Sequence, residues 1–416
     1  MSVNGVVIIG AGHSGGKAAH ALRKQGWSGP ITLIGNESQP PYDRPPLSKA
    51  VLLGKKTADA CEFWPAQWYV EQSVELVLDR NVTAITRSQK TVTLDDGRTI
   101  PYDQLLIATG ARAIALPVPG ANLPGVSQLR TTRDASLVAS YLTAENRIVV
   151  IGAGFIGLEV AAAARELGCH VTVLEAAPHA LTRSLPEIVS DELIGIHRER
   201  GVDLRFGVSV IAIEGTDRVT AVRLSTGVSI PCDHVVYGIG VRADTHLAEA
   251  AGLDVDNGVV VGPDLRTSDP AIFACGDVCA FTSTRYGQPL RLESWKNAED
   301  QADLVARSML GQEVAYDPLP WFWSNQYDAV LQIAGLPALG SVIAQRKIGA
   351  GRIFFSLAND GTLIGVSAFG PVRDVALTMR VVKDWVLSAT PLSPTLLADA
   401  DIKLDNVAAF ATPSLA

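Results

Sequence analysis

Two glycine triplets stand out as residues that could do chemistry by spacing alone. Gly10, Gly12 and Gly15 follow the apolar run Gly5 to Ile9, and Gly152, Gly154 and Gly157 follow Ile148 to Ile151, each glycine 142 positions after its counterpart. Placed between a strand and a helix, G-x-G-x-x-G holds a dinucleotide pyrophosphate. The first glycine allows the tight turn, the second lets the phosphates approach the backbone, and the third lets helix and strand pack closely. Such a site also needs an acid about 20 residues on for the adenosine ribose. Glu37, with Asn36 beside it, lies 22 positions past Gly15, and Glu175 lies 18 past Gly157 at its strand end. An acid at a strand end repels a 2′-phosphate, so the second site favours NADH over NADPH, although Arg183 nearby could accommodate that phosphate. Two such sites in one chain imply electrons passing between two nucleotides.

Other segments carry further candidates. Pro40 to Lys49 is a proline-stiffened loop that holds Arg44 and Lys49 in fixed places, either against phosphate or a polar cofactor edge or as a solvated loop. Ala271 to Asp277 reads as a short strand with a Gly-Asp end, where the Asp277 carboxylate either binds a sugar-like hydroxyl or forms a plain turn.

The elements that must position these residues follow from the same pattern. Lys17 to Gln25 reads as a helix ending at Gly26 and Ile31 to Ile34 as the next strand, so the chain opens with a βαβ unit. A second begins at Arg147, with a helix through Glu166 and a strand from Val171 to Leu174. Asn81 to Thr86 and Thr91 to Leu94 read as strands, as do Leu105 to Gly110 and Val235 to Gly240, which end in small-residue turns. After Pro318 comes the aromatic cluster Trp321 to Tyr327, then short alternating segments, a helix from Arg373 to Leu387, and an alanine-rich end after Val407 that is expected to fray. A chain of 416 residues exceeds one core and divides into two or three domains of ~100 to 200 residues. No run approaches the ~18 uncharged apolar residues of a membrane span, and the N-terminus passes directly into a strand without a signal peptide. Five scattered cysteines fit a reducing cytoplasm, seven dispersed histidines show no metal-ligand spacing, and a net charge of −8 argues against nucleic acid.

With both fingerprints, Ala108-Thr109-Gly110 and Gly276-Asp277, the chain resembles the two-dinucleotide-domain flavoproteins typified by glutathione reductase. Pro41-Tyr42-Asp43-Arg44-Pro45-Pro46-Leu47-Ser48-Lys49 and Pro320 to Tyr327 look specifically like the NADH-dependent ferredoxin reductases of bacterial oxygenase systems. The resemblance covers essentially the whole chain. It implies an α/β fold with two Rossmann-like domains, one for FAD (1–114 and 241–318) and one for NADH (115–240), and a C-terminal α+β interface domain (319–416). By the same resemblance Gly10, Gly12, Ser14 and Gly15 surround the FAD pyrophosphate, and Asn36 or Glu37 holds its ribose, Asn36 standing where relatives often place an acid. Arg44, Val82, Thr109 and Arg130 complete the adenosine and phosphate side, and Lys49, Asp277 and Trp295 lie along the ribityl chain and ring. Gly152, Gly154, Ile156, Gly157, Glu175, Arg183 and Gly240 match the NADH positions, and Glu159 faces the nicotinamide near Lys49.

Disulfide reductases of this superfamily carry a redox-active cysteine pair soon after the first βαβ unit, and residues 36 to 55 contain no cysteine. Electrons are therefore expected to leave the flavin directly, and the resemblance implies a route from NADH to FAD and then, one electron at a time, to a [2Fe-2S] ferredoxin serving a Rieske dioxygenase or a haem monooxygenase. The competing readings are an NADH oxidase or quinone reductase, and an NADH-sensing flavoprotein like the apoptosis-inducing factor. Between Arg346 and Lys383 six basic residues face two acids, a local excess that reads either as a docking surface for an acidic ferredoxin or as a scattered solvated face.

Overall fold

Short runs of β-branched and leucine residues, buried on both faces, form the parallel strands that carry the glycine turns. The computed structural model describes residues 5–389 and 391–407. By contact the chain divides into two units. The first takes residues up to Pro45, Asp59–Ala113 and Val241–Pro318; the second takes Pro46–Ala58, Ile114–Gly240 and everything from Leu319 on.

The first unit is built on a parallel sheet in the order Ile272–Ala274, Gln104–Ile107, Val6–Ile9, Ile31–Ile34, Val74–Val77. The second contains the parallel order Val126–Ser127, His234–Tyr237, Arg147–Ile151, His170–Glu175, Asp203–Phe206. In each, the fingerprint strand is central, with the next two strands to one side and the returning strand to the other, which is half of the doubly wound arrangement. Each also carries a three-stranded antiparallel sheet: Val82–Thr86, Thr91–Leu94 and Thr99–Pro101 in the first, Val210–Gly215, Val219–Leu224 and Ser229–Pro231 in the second. The repeat is thus a whole-domain repeat and not a pair of turns.

The first fingerprint helix runs His13–Lys24, starting four residues earlier than the apolar pattern indicates. The reason is that its first turn buries Ser14, Gly15 and Gly16, small residues that carry no apolar signal. The second runs Phe155–Glu166, as expected.

The second unit also holds an antiparallel sheet in the order Trp321–Gln326, Ala329–Gly335, Leu363–Pro371, Gly351–Leu357, Val342–Ile348. The helix Val372–Ser388 covers it through Val375, Met379, Val382 and Val386, one stripe at helical spacing. The aromatic cluster is the edge strand of this sheet. Trp321 and Trp323 pack towards the sheet's core, while Phe322 meets Phe155 in a tilted ring contact at 4.4 Å on the opposite face, which alternation along the strand also gives to Ser324 and Gln326. The end after Val407 lies outside the described residues. Among the described residues no helix is long and apolar enough to cross a membrane.

Candidate active site

In both copies packing accounts for two of the three glycines and leaves the middle one free for a ligand. Gly10 and Gly152 have φ of 111° and 104°, which side-chain-bearing residues avoid. A Cβ on Gly15 or Gly157 would run into the carbonyl of Gly10 or Gly152. On Gly12, by contrast, the nearest atom would be Arg44 Nη2 at 3.9 Å, and on Gly154 nothing lies within 4 Å. Open space over bare backbone at a helix N-terminus fits a pyrophosphate, so the residues present suit a dinucleotide in each copy.

The acids differ between the copies. Glu175 Oε2 accepts from the Ala153 N–H at 2.7 Å and its Oε1 from the Ala177 N–H at 2.8 Å, which pins the carboxylate beside the second glycine turn. Leu174 pairs with Ile151 as Ile34 pairs with Ile9, so the counterpart of Glu175 is Gly35. Glu37 lies two residues further on, half-buried, its carboxylate accepting from Tyr42 Oη at 2.6 Å and from Arg44 Nη2 at 2.7 Å, while Asn36 is exposed. Arg44 falls in the first unit and Lys49 in the second.

Elsewhere in the first unit, Thr109 Oγ1 donates to the Asp244 carbonyl at 2.8 Å, Val82 is buried at its strand start, and Ser14 is buried near Gly276. Asp277 sits in the Gly276–Val278 turn, its carbonyl accepting from Arg291 Nη1 at 3.1 Å. Trp295 Nε1 donates to Asp43 Oδ1 at 2.8 Å, and its ring stands edge-on to His13 at 5.2 Å. Sequence reasoning missed His13, Lys17 and Glu299. His13 Nε2 lies 3.1 Å and Lys17 Nζ 2.9 Å from Glu299 Oε1. Burial works to raise the Glu299 carboxyl, but these two partners overcome it and hold it down to about 2. The available signal was a titratable residue inside the first fingerprint. Arg130 lies in the second unit, where its backbone N–H and the Thr131 capping box meet Asp134 at the helix Thr132–Tyr141.

In the second unit Lys49 Nζ donates to Glu159 Oε2 at 2.7 Å. Glu159 is 3% exposed in the first turns of the helix Phe155–Glu166, and a buried carboxylate must be paired and hydrogen-bonded. Ser48 Oγ donates to the same oxygen and Ser324 Oγ to Oε1 at 2.6 Å, so three donors satisfy it. Neither serine is evident from sequence spacing. Ile156 is exposed one turn earlier, and exposed Arg183 places Nη2 3.7 Å from where a Cβ on Gly240 would stand. The chemical capacity of this cluster is to hold one ammonium in a fixed place.

The five cysteines are free and buried. Burial pushes the Cys275 thiol up to about 12, against a hydrogen bond with Ser14, and Cys279 well above its usual range, so neither is a ready thiolate. The six basic residues differ in exposure. Arg346 is buried with Nη2 on the Ile402 carbonyl at 2.6 Å and Arg352 pairs with Glu192 at 3.2 Å, which leaves Lys347, Arg373, Arg380 and Lys383 exposed.

Two dinucleotide cradles in one chain, followed by a separate antiparallel sheet with its covering helix, define a two-nucleotide oxidoreductase of the glutathione reductase-like fold. The chain belongs to the pyridine nucleotide-disulphide oxidoreductase family, which it matches over residues 4–302, and residues 321–408 match the reductase C-terminal family. It is 42% identical over 401 residues to rhodocoxin reductase of Rhodococcus erythropolis, covering 96% of this chain and 93% of that one. It is 40% identical over 418 residues to putidaredoxin reductase of Pseudomonas putida, covering 99% and 98%. The crystal structure of the covalent putidaredoxin reductase–putidaredoxin complex superposes with a TM-score of 0.92 at 38% identity over 98% of each chain. Membership implies FAD and NAD(H) as cofactors.

Proposed function

We propose that this chain passes electrons from NADH through FAD to a [2Fe-2S] ferredoxin that supplies a Rieske dioxygenase or a haem monooxygenase, in the cytoplasm. The observation that carries the reading is the doubled cradle, one glycine turn per nucleotide, in a chain whose five cysteines are all buried. Electrons that pass from one nucleotide to the other and meet no reactive thiol leave the flavin directly. Relatives of 37 to 40% identity named as ferredoxin–NAD(+) reductases of the anthranilate and benzene 1,2-dioxygenase systems support the same choice of partner.

In this reading residues 1–114 with 241–318 hold FAD, 115–240 hold NADH, and 319–416 form the C-terminal domain. Gly10, Gly12, Ser14 and Gly15 receive the FAD pyrophosphate, Asn36 or Glu37 its ribose, and Arg44, Val82, Thr109, Arg130, Asp277 and Trp295 the remainder. Gly152, Gly154, Ile156, Gly157, Glu175, Arg183 and Gly240 receive NADH. Bound there, FAD would supply hydride acceptance from NADH and release of single electrons, which a [2Fe-2S] partner requires. The protein's part is to hold Lys49, through Glu159, where its ammonium offsets negative charge on the flavin ring, and to orient the nicotinamide. Anaerobic mixing of the purified yellow protein with NADH or NADPH tests this, with the flavin bleaching faster with NADH. Absence of bleaching with either nucleotide contradicts it.

A further inference from the structure

Glu159 is the inner end of a hydrogen-bond chain that the electron route itself does not use. Ser324 Oγ, which meets Glu159 Oε1 at 2.6 Å, lies 3.1 Å from Gln326 Nε2. Gln326 Oε1 lies 2.6 Å from His197 Nε2, and His197 Nδ1 lies 3.1 Å from Tyr327 Oη. Ser324, Gln326 and His197 are each at most 2% exposed.

The donor inventory gives the chain one direction. An amide oxygen only accepts, so His197 Nε2 carries the proton. Burial holds His197 below its ordinary range, against the hydrogen bond with Gln326, which keeps the ring neutral and its Nδ1 free to accept from Tyr327. The Gln326 amide then donates to Ser324, whose single proton goes to Glu159. Every donor from Tyr327 inward points towards the carboxylate, and bonds aligned in this way polarise one another.

Local structure supplies the fixed ends. Ser324 and Gln326 are two apart on the strand Trp321–Gln326 and therefore share a face. Tyr327 leaves that strand at φ of 56°, a conformation unfavourable for a side-chain-bearing residue, and its ring lies 5.1 Å under the Arg200 guanidinium. Arg200 in turn pairs with Asp328 at 2.9 Å. With only Ser48 and Lys49 on Oε2, the Glu159 carboxylate would be free to rotate about its terminal bond. A donor on Oε1 removes that freedom.

We infer that Ser324, Gln326 and His197 are positioning residues that hold the Glu159 carboxylate in the plane presenting Oε2 to Lys49, and so fix where the Lys49 ammonium stands. The inference rests on the reading that Lys49 serves the flavin. The test uses the FAD-loaded protein and its Lys49→Ala, Ser324→Ala, Ser324→Thr and Gln326→Leu variants. The midpoint potential of the bound flavin is measured in each, together with the ring-nitrogen NMR of His197 in ¹⁵N-histidine-labelled protein.

Ser324→Ala and Gln326→Leu are expected to lower the ratio of reduced to oxidised flavin at a fixed potential by about tenfold, about 30 mV for a two-electron couple. Lys49→Ala shifts it the same way, and Ser324→Thr restores the parent value. The His197 spectrum shows a neutral ring protonated at Nε2. If Lys49→Ala shifts the potential and neither chain variant does, the inference falls while the role of Lys49 stands. If no variant shifts it, both fall. A His197 protonated at Nδ1 overturns the direction of the chain, and with it the inference. Should Ser324→Ala not fold, Gln326→Leu, one link further out, decides.

Discussion

Glu159 is where the account is most exposed at the scale of single residues, because one buried carboxylate answers to three donors. Glu159→Gln keeps the volume and removes the charge, leaving Lys49, whose side chain is 22% exposed, without its counter-ion. Flavin reduction by NADH in a stopped-flow instrument is expected to slow about tenfold, the loss of ~1.4 kcal/mol of transition-state stabilisation. An unchanged rate removes Glu159 from the site. Glu175→Ala deletes the acceptor of two backbone N–H groups at the second turn. Charge-assisted bonds of this kind are worth ~1.5 to 3 kcal/mol. The KM for NADH should therefore rise about tenfold and the preference over NADPH narrow, which steady-state rates with the two nucleotides will show. Glu175 and the glycines were legible in the sequence because their roles depend on neighbours a few residues or one strand away. Ser48 and Ser324 were not, since they meet Glu159 only after 111 and 165 residues of chain have folded back. A weak trace existed in Ser324 and Gln326, two polar residues at strand period inside an aromatic run.

At the scale of elements, each strand–glycine turn–helix unit separates packing glycines from ligand glycines. Gly157→Ala forces a methyl group into the Gly152 carbonyl, and overpacking of this sort costs ~1 to 3 kcal/mol. Gly154→Ala meets no protein atom but fills the space left for the pyrophosphate. Thermal melts should show Gly157→Ala several degrees less stable and Gly154→Ala close to the parent, while NADH titration shows Gly154→Ala losing affinity by tenfold or more. Equal effects on both quantities in both variants would contradict the division. Elements were read well where period and punctuation agree, as in Phe155–Glu166 and Val372–Ser388. The start of His13–Lys24 was misjudged by the apolar pattern, because Ser14, Gly15 and Gly16 are buried there without being large or apolar. The offset of the acid in the first copy was likewise hidden, since only strand register reveals that Gly35 occupies the place of Glu175.

For the molecule as a whole, buried titratable groups set the pH range of stability. His234 is fully buried, stacked on Tyr141 at 4.0 Å with Nε2 2.9 Å from Ser127 Oγ, and burial with help from Arg218 lowers it to about 4. The unfolded chain takes up this proton near pH 6.5 and the folded chain only near 4, so stability falls as pH drops between those values. The loss through this residue amounts to roughly 3 kcal/mol, and His234→Asn should flatten the dependence of denaturant midpoint on pH across that window. A parallel dependence in the variant would exclude His234 as its cause. Long-range pairings such as His13 with Glu299, Arg346 with the Ile402 carbonyl and Arg352 with Glu192 belong to this scale and were illegible, because tertiary packing alone decides them. The route of the electrons is also a property of the whole molecule, and one measurement addresses it most directly: NADH-driven reduction of a purified [2Fe-2S] ferredoxin, followed by loss of its visible absorbance, beside oxygen consumption without the ferredoxin. The account predicts catalytic ferredoxin reduction far faster than oxygen uptake, faster with NADH than with NADPH. NADH oxidation that proceeds at the same rate with and without any ferredoxin, with the iron-sulfur protein left oxidised, would contradict it.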